Sequence, residues 1–134
     1  MAENTSDQNA LSQGRNFVWH ELYTPSLEGS LDFYQKALGF GTQSMDMGEM
    51  QYTMFTRNGA PICGVMDFKT IGMEVPPHWA VYLSVDNVDS SLEAVTANGG
   101  SIVVPAMDVP TIGRMALIAD PQGAHIWLFT PAAM

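Results

Sequence analysis

One pattern runs through this chain twice. Leu22, Leu27, Ser30 and Leu31 return 61 positions later as Leu83, Val88, Ser91 and Leu92, and Asn58-Gly59-Ala60 returns 64 positions later as Gln122-Gly123-Ala124. A period of this length means one supersecondary unit used two times. It limits the fold more than any other feature, because each copy must bury its apolar face against something. The copies are residues 17–66 and 78–130, joined by a linker at 67–77 that has no period and ends on Pro76-Pro77. At 134 residues the chain is expected to hold a single domain, 17–134, preceded by a polar segment, 1–16, read as a mobile tail.

In the first copy, Phe17 to Thr24 is aromatic and aliphatic enough for a strand. Thr24-Pro25-Ser26 marks a helix start, and Leu27, Leu31, Tyr34 and Leu38 fall on one helical face. Gly39 and Gly41 stop the helix. Gly39 to Met47 and Met50 to Thr56 read as a hairpin turning at Gly48-Glu49. Ala60 to Met66 is a fourth strand. The second copy repeats the order, with a strand from His78 to Val85 and a helix capped by Asp86 or Asn87. Strands follow at Ser101 to Met107, Arg114 to Ala119 and Ala124 to Thr130. Asp120-Pro121-Gln122-Gly123, with Pro second and Gly fourth, has the composition of a tight turn. The expected class is α+β: two βαβββ units forming paired, curved, mixed sheets around a cavity.

Alternation along the strands sorts the side chains. Val18, His20 and Leu22 share one face with the helix, as do Val81, Leu83 and Val85, and Ile126 and Leu128. The opposite face carries Trp19, Glu21 and Tyr23; His78, Ala80, Tyr82 and Ser84; Pro61, Cys63 and Val65; and His125, Trp127 and Phe129. Met45, Met47, Met50 and Met54 gather in the hairpin, either as core filler or as an adaptable wall for an apolar ligand.

The formal charge of −9, with only five basic residues, disfavours a nucleic-acid partner. No apolar run approaches the ~20 residues of a membrane span, and residues 1–16 lack the apolar core of a signal peptide. Cys63 is the single cysteine, which excludes an intrachain disulfide and is compatible with the cytoplasm.

The order of elements, the run SLDFYQKALGF after the first strand, YLSVDNVDSSLEAVTANGG after its counterpart, and ADPQGAHIWLF near the end resemble the vicinal oxygen chelate superfamily. That superfamily includes glyoxalases, ring-cleaving dioxygenases and bleomycin-binding resistance proteins. The resemblance covers residues 17–130 and implies that metal ligands come from the first and last strands of each unit. Those positions here are Trp19, Cys63, Ala80 and Trp127, and one soft ligand does not make a metal site. Glu21, His78 and His125 offer a carboxylate–imidazole set only if strand register shifts, which a fixed pleat resists.

The resemblance and the residues together lead to an expected function: a metal-independent small-molecule binding protein of the glyoxalase/bleomycin resistance type. Its ligand is partly aromatic, and the site would comprise Trp19, Glu21, Tyr23, Met54, Cys63, His78, Tyr82, His125 and Trp127. No cofactor is expected. The alternative is an enzyme of the family, a lyase, isomerase or dioxygenase. It would use a divalent metal at a non-standard site, or Glu21 as base with His78 or a tyrosine as acid. The expected partners are a small molecule and a second copy of the chain.

Overall fold

A computed structural model describes residues 16–46, 51–68 and 75–132. The element order is β1 (Phe17–Thr24), α1 (Leu27–Leu38), β2 (Gly41–Asp46), β3 (Gln51–Arg57), β4 (Ala60–Asp67), β5 (His78–Ser84), α2 (Val88–Ala97), β6 (Ser101–Val109), β7 (Gly113–Ala119) and β8 (His125–Pro131). The α+β order read from the repeat is therefore present element by element. The turn expected at Gly48-Glu49, together with Met47 and Met50, lies outside the described residues. Trp19–Ala80 forms one compact unit, and the remainder of the described chain forms the other.

In the first unit the strands lie in the order β2-β3-β4-β1, with β4 and β1 parallel and the other pairs antiparallel. Helix α1 starts at Ser26, whose hydroxyl accepts the Gly29 N–H at 3.2 Å. The Asp67 carboxylate accepts the Leu27 N–H at 3.3 Å, placing negative charge at the positive end of the helix dipole. The helix ends at Gly39, whose φ of +72° is the left-handed conformation that a Cβ disfavours. Leu22, Phe55, Cys63 and Val65 form the core under α1, closed by Leu27, Leu31 and Tyr34.

The second unit repeats this plan, in the order β6-β7-β8-β5 with β5 and β8 parallel. Asn87, not Asp86, is the helix cap, its side chain accepting the Ser90 N–H at 2.9 Å. Val88, Leu92, Ala116, Ile118 and Leu128 form the core, with Leu83, Val85 and Ile126 packed against it. In the turn before β8, Asp120 Oδ1 accepts the N–H groups of Gln122 and Ala124, at 2.9 and 3.0 Å. Arg114 on β7 is clamped by Asp89 of α2 and Asp108 of β6.

One packing expectation and one face assignment are corrected. His20 is exposed rather than packed under the helix. Cys63 and Val65 belong to the core under α1, not to the opposite face. The cause of the Cys63 and Val65 change is a β-bulge. Phe55 pairs with Cys63 but the next residue, Thr56, pairs with Pro61, so Ile62 is an extra residue in β4. One inserted residue reverses the parity of everything beyond it. Among the described residues, no helix is long and apolar enough to cross a membrane.

Candidate functional site

The bulge puts Gly64, in place of Cys63, on the face opposite α1. Gly64 is the cross-strand neighbour of both Glu21 on β1 and Met54 on β3. With strands spaced about 4.8 Å apart, these residues form one continuous surface. Glu21 is only 5% exposed, and Met54 and Tyr23 beside it are buried as well.

A buried carboxylate requires hydrogen-bond donors. Tyrosines supply them. The Tyr52 hydroxyl donates to Glu21 Oε2, and the Tyr23 hydroxyl donates to Oε1 at 3.4 Å. Behind Tyr52, the Trp19 indole Nε1–H donates to the Tyr52 oxygen at 3.0 Å. Gly64 makes the assembly possible, because a Cβ there would overlap the Tyr52 hydroxyl and the Glu21 carboxylate. Burial, and then the charge of Glu21, push the Tyr52 hydroxyl well above the ordinary range of a phenol. It therefore stays protonated and stays a donor.

His78 adds an aromatic plate. Its ring stacks parallel on Tyr23, with centroids 5.2 Å apart and planes 3° apart. Its Nδ1–H donates to the Pro76 carbonyl at 2.7 Å, which fixes the ring orientation. His78 is exposed where Tyr23 is buried, so the stack runs from solvent towards the carboxylate.

In the second unit, Tyr82 and Trp127 are cross-strand partners. Their rings stack at 5.3 Å and 12°, and both are buried. His125 is exposed, with Nδ1–H donating to the Gly123 carbonyl at 3.0 Å. A cavity of about 380 Å³ lies at the start of α2, lined by Asp89, Asp108, Thr111 and Arg114. It contains none of the residues expected from the sequence.

Five of the expected site residues thus share a surface in the first unit: Trp19, Glu21, Tyr23, Met54 and His78. Tyr82 and Trp127 meet in the second. Cys63 is removed from the site. Burial and the neighbouring Glu21 charge push its thiol up to about 11, so it is inert at neutral pH. Two residues escaped the sequence reading, Tyr52 and Gly64. Tyr52 was within reach, since it shares the parity of Met54 two positions on.

The residues do not fit the divalent metal of the resembled superfamily. Trp19 commits its indole to Tyr52 and has no lone pair to give. Gly64, Ala80 and Trp127 offer no ligand atom, and Cys63 is turned to the core. Among the described residues, no group of three or more His, Cys, Asp or Glu is placed to hold a metal ion.

The profile of the Glyoxalase/Bleomycin resistance protein/Dioxygenase superfamily matches residues 16–128. CFP32 of Mycobacterium tuberculosis, whose name calls it a glyoxylase, is 34% identical over 116 residues, 86% of this chain and 44% of that protein. The anthracycline biosynthesis protein DnrV of Streptomyces peucetius is 31% identical over 133 residues, 87% of this chain and 47% of its own length. The chain therefore spans about half the length of these relatives. Among solved structures, methylmalonyl-CoA epimerase from Mycobacterium tuberculosis superposes with a TM-score of 0.56 at 16% identity, covering 88% of this chain and 89% of the epimerase. That likeness speaks for the fold alone.

Proposed function

The chain belongs to the Glyoxalase/Bleomycin resistance protein/Dioxygenase superfamily, and on that premise we propose that it is a metal-independent binding protein for a small, partly aromatic molecule. The ligand donates a hydrogen bond, or a positive charge, to Glu21. The observation that carries this reading is a buried carboxylate held by two tyrosine hydroxyls on a face shared with Trp19 and Met54. Apolar walls with a single converging polar group are the usual composition of a ligand site. Tyr23 and the stacked His78 supply flat surfaces for an aromatic ring. The aromatic faces and the carboxylate both favour a cation.

A second reading has one specific support. The Tyr52 hydroxyl donates its hydrogen bond to Glu21, a carboxylate–hydroxyl pair that a proton-transfer enzyme would use with Glu21 as base. Turnover of a ligand, once found, separates the two readings.

The same proposal includes a cytoplasmic setting and pairing with a second copy. Support for pairing is on α1, where no residue is fully buried and Phe33 is 58% exposed.

Native mass spectrometry of protein purified without added ligand is the test. An organic base bound at one per chain fits the proposal. Stoichiometric divalent metal, or a bound organic acid, overturns it.

A further inference from the structure

The hydrogen bonds on Glu21 have a direction, and that direction is set one residue further back. An indole nitrogen donates and cannot accept. Trp19 Nε1–H is aimed at the Tyr52 oxygen, so that oxygen accepts there and its own proton is directed at Glu21 Oε2. We propose that Trp19 and Tyr52 are positioning residues of the ligand site, a relay that holds Glu21 as an acceptor and withholds the Tyr52 proton from the ligand. This inference rests on the reading that Glu21 meets the ligand. Trp19 would then be neither a filler for lost metal ligands nor simply a stacking wall.

The relay narrows the ligand class. A tyrosine beside a carboxylate could turn its hydroxyl outward and donate to an anionic ligand. Here turning the hydroxyl proton outward gives up its bond to Glu21, and turning it towards the indole sets it against the Trp19 N–H. The Tyr23 hydroxyl is likewise engaged with Glu21 Oε1 at 3.4 Å. The surface therefore presents an acceptor with its donors turned inward. It suits an aromatic ammonium compound or an aromatic amide N–H, and it rejects aromatic carboxylates and phosphates. Gly64 completes the relay by leaving the space in which the Tyr52 hydroxyl and the Glu21 carboxylate meet.

The test is the titration of Glu21 in protein carrying ¹³C at the glutamate carboxyl, followed by NMR without ligand. Glu21→Gln identifies the signal. Tyr52→Phe removes a hydrogen bond to the charged form, and the Glu21 midpoint should rise by about one pH unit, a tenfold gain in proton affinity. Trp19→Phe should raise it part of the way. Adding Trp19→Phe to Tyr52→Phe should add nothing, because Trp19 acts through Tyr52. Equal effects of Trp19→Phe in both backgrounds, or no effect in either, overturn the relay. The Trp19 indole N–H signal gives a check without altering Trp19: it should exchange slowly, and faster in Tyr52→Phe. No change in its exchange overturns the relay as well. Calorimetry with phenethylamine and hydrocinnamate then reads selectivity. Trp19→Phe, which frees the Tyr52 hydroxyl to turn, should narrow the preference for the amine, whereas Tyr52→Phe, which has no hydroxyl to release, should not gain affinity for the acid. A preference unchanged by Trp19→Phe overturns the withholding role. If the Glu21 titration follows the relay and neither probe binds, the relay holds and the ligand reading falls.

Discussion

Replacing Gly64 with alanine puts a methyl group where the Tyr52 hydroxyl and Glu21 carboxylate meet. Overpacking of this kind costs about 1–3 kcal/mol, and urea unfolding of Gly64→Ala should show a loss in that range. Cys63, one residue earlier on the opposite face, answers to pH. Its thiol is raised from 9.0 to about 11, so the folded chain favours the neutral form. The resulting stability is whole below pH 9.0 and is lost as pH rises towards about 11. Urea titrations should show that decline, and Cys63→Ala should show less of it, the remainder coming from the Tyr52 hydroxyl, which burial and Glu21 also raise in the folded chain. At pH 8 iodoacetamide should label Cys63 only on unfolding. These two neighbours also mark the limit of what the sequence could reveal about the site. Alternation correctly placed Trp19, Glu21, Tyr23, Tyr82 and Trp127, because nothing interrupts β1, β5 or β8 around them. It misplaced Cys63 because a bulge at Ile62 leaves no mark in residue types, and Gly64 passed unnoticed because a glycine bears no chemistry of its own.

At the level of elements the repeat carried more information than any single residue. The two units have the same strand order and the same parallel pairing of first and last strands. Each helix starts at one of the two cap candidates in its sequence, Ser26 rather than Thr24 and Asn87 rather than Asp86. Ser26→Ala should cost about 1 kcal/mol in thermal or urea unfolding, the usual loss of an N-cap. What periodicity could not predict is how little of α1 is covered. Its apolar stripe, read as core, leaves no residue fully buried, and Phe33 and Leu38 stand more than half exposed. A surface helix of this kind favours association. Sedimentation should therefore find a dimer, and Phe33→Glu should shift it towards monomer. A wild-type chain that stays monomeric at high concentration contradicts the pairing.

For the molecule as a whole, family membership sets the fold, and the residues on the strands decide the chemistry. Within the first unit, Trp19 shares its sheet face with a buried carboxylate whose donors point inward. A formal charge of −9 reinforces attraction of cations, so binding should weaken as salt rises. The most direct test is calorimetric titration of the intact chain with phenethylamine, its neutral analogue phenylacetamide and the acid hydrocinnamate, each repeated with Glu21→Gln. The account predicts that the amine binds best and the acid worst, and that Glu21→Gln lowers amine affinity at least tenfold, about 1.4 kcal/mol, without unfolding the chain. Equal binding of amine and acid, or an amine affinity untouched by Glu21→Gln, would contradict it.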